Sequence, residues 1–206
     1  MKVTKAKSAE HRAALVRTAG RMFRERGIDA VGVAEISKAA GLTHGALYAQ
    51  FPSKQALAAE ALAHGSARNL AQMTAARPHG GPTLTNYLDL YLSPEHRDNL
   101  AEGCAMAASA SETARQDEAV SGRFADGFER MVGAIQTALE PTNPRADDRA
   151  RALTIAAAMI GGVAVARAVA KAQPDLSDEV VAAVRRVLGE IGGEGARSAR
   201  LDGVLG

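Results

Sequence analysis

The sequence predicts an all-α chain: an N-terminal three-helix head built on a helix-turn-helix, then a helical body, about nine helices in all. Three observations carry that prediction. The composition is rich in alanine, lacks tryptophan and holds only 3% aromatic residues, which suits packed helices rather than sheets. Apolar residues recur at helical spacing, most regularly at Phe124, Phe128, Met131, Val132, Ile135 and Leu139. Charge is also uneven. The overall net charge is +2, yet residues 1–60 carry ten Lys/Arg against five Asp/Glu, and residues 61–206 carry fifteen against eighteen. A basic head on a mildly acidic body is the asymmetry of a phosphate-binding module joined to a domain with other partners. The expected division is 1–56 for the head, 57–192 for a ligand-binding and dimerisation body, and 193–206 for a glycine-rich flexible tail.

Residues 1–9 form a lysine-bearing arm, either a solvated tail or a contact to DNA phosphate or minor groove. The first helix is expected over Glu10–Arg26, with Leu15, Ala19, Met22 and Phe23 on one face and Gly27 as its stop. Arg12, Arg17, Arg21 and Arg24 lie elsewhere on it; one or two of them could reach phosphate, and most read as plain surface charges. Val33–Ala40 is a second helix with Val33, Ile36 and Ala40 inward; Gly41 ends it in the left-handed conformation and Leu42 plugs the turn. Thr43 is placed to cap a third helix, in which Leu47 and Phe51 face inward and His44, Ala46, Tyr48, Ala49 and Gln50 face outward. Phe51-Pro52 stops that helix and Ser53 caps a fourth, which opens at Lys54 and runs to about Ala76. Helix, glycine turn, helix is an arrangement whose second helix can enter a DNA major groove.

The run G-L-T-H-G-A-L-Y-A-Q-F-P-S-K-Q-A-L resembles the signature of the tetracycline-repressor (TetR) family of bacterial transcriptional regulators, through Ala40-Gly41, Leu47-Tyr48, Phe51, Ser53-Lys54 and Leu57. The resemblance covers about the first quarter of the chain. Three positions depart from the pattern: Val31-Gly32 stands where Thr-Ser or Thr-Thr is frequent, Ala34 replaces a long polar residue, and Gln50 replaces His or Tyr. These changes remove usual phosphate contacts and bear on affinity and operator sequence. The expected DNA contacts are Thr43, His44, Gly45, Ala46, Tyr48, Gln50 and Lys54. His44 would meet a base edge, Gly45 and Ala46 permit close approach, Tyr48 and Lys54 would hold phosphate, and glutamine suits adenine. The resemblance further implies a homodimer on a palindromic double-stranded operator, repression, and release by a small apolar or amphipathic inducer.

In the body, Leu84, Tyr87, Leu88, Tyr91 and Leu92 mark a short helix ending before Ser93-Pro94. Glu102-Gly103-Cys104 opens an alanine-rich helix to about Gln116, and the phenylalanine stripe follows, ended by Pro141 to Pro144. Tyr87, Tyr91, Cys104, Phe124, Phe128, Met131 and Met159 are the residues expected to wall an inducer pocket; the plainer reading of such a stripe is core alone. Cys104 is either a reactive sensor near a helix N-terminus or a small buried hydrophobe. A nearly all-apolar helix over Asp147–Lys171 and a last helix capped by Ser177 would complete the body. Ile155, Met159, Val163, Val180, Val184, Val187, Leu188 and Ile191 are expected to form the dimer interface as half of a four-helix bundle, the alternative being the core of one chain.

One cysteine excludes an intrachain disulfide framework, and the basic N-terminus lacks the apolar core of a signal peptide. The longest apolar and glycine run, Ile155–Ala166, is twelve residues, short of a bilayer. A cytoplasmic protein with no membrane partner is the expectation. His11, His44, His64, His79 and His96 show no ligand spacing, so no metal is expected, and neither a phosphate-cradling loop nor a nucleophile elbow supports an enzyme or a cofactor. The competing function is a helical small-molecule-binding or adaptor protein that makes no use of DNA.

Overall fold

The computed structural model describes residues 4–75, 83–139 and 146–193, and among them every regular element is an α-helix. In chain order these are α1 Lys5–Arg26, α2 Val33–Ala39, α3 His44–Tyr48, α4 Lys54–Thr74 and α5 Leu84–Tyr91. There follow α6 Pro94–Asp98, α7 Ala105–Thr113, α8 Glu118–Ala138, α9 Asp148–Val169 and α10 Pro174–Gly192. Two compact units emerge, Met1–Asn69 with Leu100–Gly127, and Leu70–Asn99 with Phe128–Gly206. The unit that holds the head is thus larger than residues 1–56 and takes in α7. Most of the tail expected at 193–206 lies outside the described residues, as do Met1–Val3 of the arm.

In the first unit, Leu15, Val16, Ala19, Met22 and Phe23 of α1 are buried with Ile36, Leu47, Phe51, Leu57, Ala58 and Leu62 in one core. The first helix begins earlier than expected: Thr4 accepts a hydrogen bond from the Lys7 N–H and caps α1 at Lys5, so part of the arm is helical. α7 packs on α1. Its N-cap is Cys104, whose Sγ accepts from the Ala107 N–H at 3.4 Å, and the residue is 1% exposed. Arg24 is also buried; it donates from Nε to the Ala101 carbonyl at 2.7 Å and lies 3.9 Å from Glu102. Burial and the neighbouring Arg68 lower its pKa to about 10. The guanidinium fits because Gly20 and Gly65 present no side chains there: a Cβ on either would stand 3.3 Å or 3.2 Å from Arg24 Nη1.

The second unit centres on the antiparallel pair α9 and α10. The start of α9 meets the end of α10 where Arg151 donates to the Ile191 carbonyl, and the end of α9 meets the start of α10 where Ser177 Oγ donates to the Ala166 carbonyl at 2.9 Å. Ser177 is therefore not the cap expected from the sequence. Pro174 occupies the first turn, where its missing N–H costs nothing, and the helix starts there. Gly162 lets the pair close up, since a Cβ would stand 3.2 Å from both Val184 methyls. Ser93-Pro94, expected only to break a helix, instead starts α6: Ser93 Oγ accepts from the His96 N–H and Pro94 leads the turn. α6 delivers Arg97, which donates to Ser177 Oγ at 3.0 Å, pairs with Asp178 and holds Asp98 at 2.7 Å.

Among the described residues, α9 alone is long and apolar enough to cross a membrane by length and composition, and 44% of its most apolar stretch is buried within the fold. Ile155, Met159, Val163 and Ala166 account for the inward side of that helix.

Candidate nucleic-acid interface

The helix-turn-helix is built by local chemistry that its sequence specifies. Within α2, Ser37 Oγ returns to the Val33 carbonyl at 2.9 Å. At its end Gly41 adopts φ +69°, the Gly41 N–H reaches the Lys38 carbonyl at 3.0 Å, and the Leu42 N–H reaches the Ser37 carbonyl at 2.8 Å. This pair of reversed bonds satisfies the last carbonyls of α2 and needs a left-handed residue, hence glycine. Leu42, Val33 and Ala40 then pack against the buried core. Thr43 Oγ1 accepts from the Ala46 N–H at 3.2 Å and starts α3 as expected.

α3 is held to the core through Leu47, and Phe51 follows it inward; both are essentially buried. Thr43, His44, Gly45, Tyr48 and Ala49 are exposed, while Ala46 and Gln50 are half-buried. The rings of His44 and Tyr48 meet edge to face with centroids 5.0 Å apart, and Tyr48 is 47% exposed. A side chain at Gly45 would meet nothing within 4 Å. The outer surface of α3 thus offers two rings in edge-to-face contact beside a bare stretch of backbone, with no permanent cation in the helix itself.

Two expected contact residues are engaged within the chain. Gln50 Nε2 donates to Ser8 Oγ at 2.8 Å, which ties the end of the recognition segment to α1. Lys54 opens α4 next to its cap Ser53 and donates from Nζ to the Asp29 carbonyl at 3.3 Å. Of the α1 arginines, Arg12 and Arg24 serve the scaffold instead of reaching outward, and Arg17 and Arg21 remain exposed. Arg12 grips Glu60 with two donors, donates to the Gln50 carbonyl, and lies 4.1 Å over the Phe51 ring. Arg26 and Glu35 pair across α1 and α2; that pairing lowers the Glu35 pKa and raises that of Arg26.

The sequence reading missed Ser8, Arg12 and Glu112 as residues that hold this unit together. Glu112 of α7 accepts from the Ile28 N–H at 2.9 Å and from the Asp29 N–H at 2.8 Å. Partners separated by 38 to 84 positions leave no periodic trace in one sequence. Of the residues expected to wall a pocket, Cys104 and Phe124 belong to the first unit, and Tyr87, Tyr91, Phe128, Met131 and Met159 to the second. Tyr87, Tyr91, Met131 and Met159 are buried, with Phe124 and Phe128 half-buried. A narrow void of about 20 Å³ in the first unit, room for one water, is lined by none of the seven but by Gly20, Phe23, Ile28, Leu62, Ala105 and Ser109 among others. No group of three or more His, Cys, Asp or Glu side chains among the described residues is placed to hold a metal.

Comparison with known proteins agrees with this geometry. Residues 15–61 match the model of the bacterial regulatory proteins, tetR family. No curated protein matches the chain in sequence. Among solved structures, the reduced form of E. coli NemR superposes with a TM-score of 0.69 at 20% identity, covering 88% of this chain and 96% of that one. A TetR transcriptional regulator from Chloroflexus aurantiacus gives 0.70 at 24% identity over 88% and 95%. One from Legionella pneumophila gives 0.71 at 15% identity over 92% and 98%. Residues 15–61, with the Gly41 turn and the exposed α3, thus carry the helix-turn-helix head that the tetR-family model describes, and the described chain has the fold of these solved regulators.

Proposed function

We propose that the protein is a homodimeric repressor that binds a palindromic operator and is released by a small apolar or amphipathic inducer. The observation that carries the reading is the outer surface of α3, where His44, Gly45 and Tyr48 are exposed and a side chain at Gly45 would meet nothing within 4 Å. His44 reads a base edge, Gly45 and Ala46 admit a thymine methyl or the backbone, and Thr43 and Tyr48 take phosphate. Lys54 exchanges its bond to the Asp29 carbonyl for a phosphate oxygen, while Gln50 serves mainly to hold α3 against Ser8. One half-site read by so few side chains discriminates weakly, and a dimer spanning half-sites about 34–36 Å apart, or a multiple of that, supplies the remainder.

The dimer forms across α9 and α10. Ile155, Met159, Val163 and Leu188 are already buried within one chain, so their side chains are core and not interface. The partner instead meets the outer side, where Val165 is 51% and Val187 43% exposed and Val180 and Ile191 are half-buried, while Val184 faces Gly162 within the chain. Gly161, with nothing within 4 Å of a built Cβ, supports a close approach there. The inducer site draws on the buried aromatic and methionine side chains of the body, Tyr87, Tyr91, Met131 and Met159 foremost. Operator and inducer weaken each other's binding by the same factor.

A salt titration against the DNA upstream of the gene tests the reading, with wild type beside Tyr48→Phe and Lys54→Ala. Saturable binding that falls steeply with salt and weakens in both variants supports it. Equal affinity for unrelated DNA, there and in a selection from random sequence, would refute it.

A further inference from the structure

The joint between α1 and the helix-turn-helix is held from outside the head. Gly27 ends α1 with φ +88°, and a Cβ there would stand 3.3 Å from both carboxylate oxygens of Glu112, so the bare glycine leaves the space that carboxylate occupies. The next two amides each give a hydrogen bond to a different oxygen: Ile28 N–H to Oε2 at 2.9 Å and Asp29 N–H to Oε1 at 2.8 Å. Such bonds to a charged acceptor are the stronger kind. Gln116, just past α7, adds a third tie by donating from Nε2 to Asp29 Oδ1 at 3.0 Å. Beyond the turn, Gly32 begins α2 without a side-chain cap of its own; Glu35 in the first turn reaches back to the Gly32 amide and across to Arg26 of α1, so the Glu112 bonds act together with that pair. α2 and α3 in turn pack on each other across the Gly41–Leu42 turn, whose amides close back onto the end of α2. Residues 27–32 are thus the covalent joint through which α1 leads into both helices.

We propose that Glu112 is a positioning residue for DNA recognition: its carboxylate, carried on α7, fixes the α1–α2 turn and through it the pose of the recognition helix α3. This rests on the reading of α3 as the DNA-contacting helix. With the carboxylate gone, the turn samples more conformations, and DNA must supply the ordering on binding. Base contacts depend on the pose of α3, whereas phosphate contacts tolerate its variation, so sequence-specific binding suffers more than non-specific binding.

The test uses the full chain as wild type, Glu112→Gln and Glu112→Ala, below the onset of thermal unfolding of each. The probes are a duplex selected from random sequence by the wild type and an unrelated duplex of equal length. The expected result is at least a tenfold loss of affinity for the selected duplex in both variants. Affinity for the unrelated duplex stays within about threefold and the salt slope is unchanged, while hydrogen exchange quickens at the Ile28 and Asp29 amides but not at Leu15 or Leu47. Faster exchange at those two amides with selected-duplex affinity within twofold of wild type would overturn the proposal. So would an equal loss on both duplexes, which marks general destabilisation. If Glu112→Ala fails to fold, the near-isosteric Gln variant, which keeps a single acceptor oxygen, decides alone. A wild type that selects no duplex at all refutes the DNA reading itself, before any variant is compared.

Discussion

Replacing Gly65 by alanine sets two opposed effects against each other on α4. A Cβ at this position would stand 2.9 Å from the Cβ of Ala105 and 3.2 Å from Arg24 Nη1. Carbon atoms rest at about 3.5–4.0 Å, so the two helices must part by roughly 0.6 Å or more. Neither neighbour yields easily: the Ala105 Cβ is bonded to a helix backbone, and Arg24 is tied to the Ala101 carbonyl. Overpacking of this kind costs about 1–3 kcal/mol. Against it stands a gain of about 1 kcal/mol for removing glycine from a helix interior. The expected net effect is a loss of up to about 2 kcal/mol. Gly122 on α8 supplies the control, because it is exposed and a Cβ there meets nothing within 4 Å. Gly122→Ala should keep the helix gain alone, about 0.5–1 kcal/mol of added stability. Urea unfolding followed by circular dichroism, at one protein concentration because a dimer's stability depends on it, separates the two. A Gly65→Ala variant as stable as the Gly122→Ala variant would refute the packing argument.

Arg12→Ala removes the grip on Glu60, the bond to the Gln50 carbonyl and the guanidinium over Phe51; a loss of about 1–2 kcal/mol in urea unfolding and weaker duplex binding are expected. Lysine should restore less than half of this, since it lacks the planar fork, and full rescue would count against the geometry. Cys104, at 1% exposure, should react with a thiol reagent at least tenfold more slowly in the native protein than in urea; equal rates would mean that α7 opens freely. The Arg97 hydrogen bond lowers the Asp98 carboxyl pKa, so its contribution is present above the ordinary carboxylate pKa of about 3.9 and fades as pH falls through the lowered folded value. Because Asp98 is exposed, Asp98→Asn should cost under about 1 kcal/mol at neutral pH, and the difference should vanish in acid; a difference that grew on acidification would contradict the sign.

The parts of the fold legible in the sequence are those fixed by neighbours in the chain. Gly41, Leu42 and Thr43 specify the turn because their partners, Lys38, Ser37 and Ala46, lie within five residues. Leu47 and Phe51 are inward, as their spacing demands. Where two local signals compete, spacing misleads: Ser177 resembles a cap but is a buried member of α10, and Pro174 is the true marker of its start. In α9, apolar residues on nearly every side leave periodicity unable to separate the side facing α10 from the side left open. The polar ties of the head were the least legible. Arg12 and Arg24 look like surface charges on a helix, and only the fold brings Glu60 to one and Ala101 to the other.

The unit that carries the helix-turn-helix is discontinuous, Met1–Asn69 with Leu100–Gly127, and this bears on biosynthesis. A ribosome finishes α3 roughly 60 residues before it adds Glu112, an interval of about 3–12 s at ordinary elongation rates. During that time the α1–α2 turn has no acceptor for its amides, and Arg24 has no Ala101 carbonyl to meet. The nascent head thus holds its own buried core while two of its polar ties await residues encoded far downstream. A fragment ending at residue 56 lacks both the Glu112 carboxylate and the Ala101 carbonyl that meet the turn and Arg24 in the full chain.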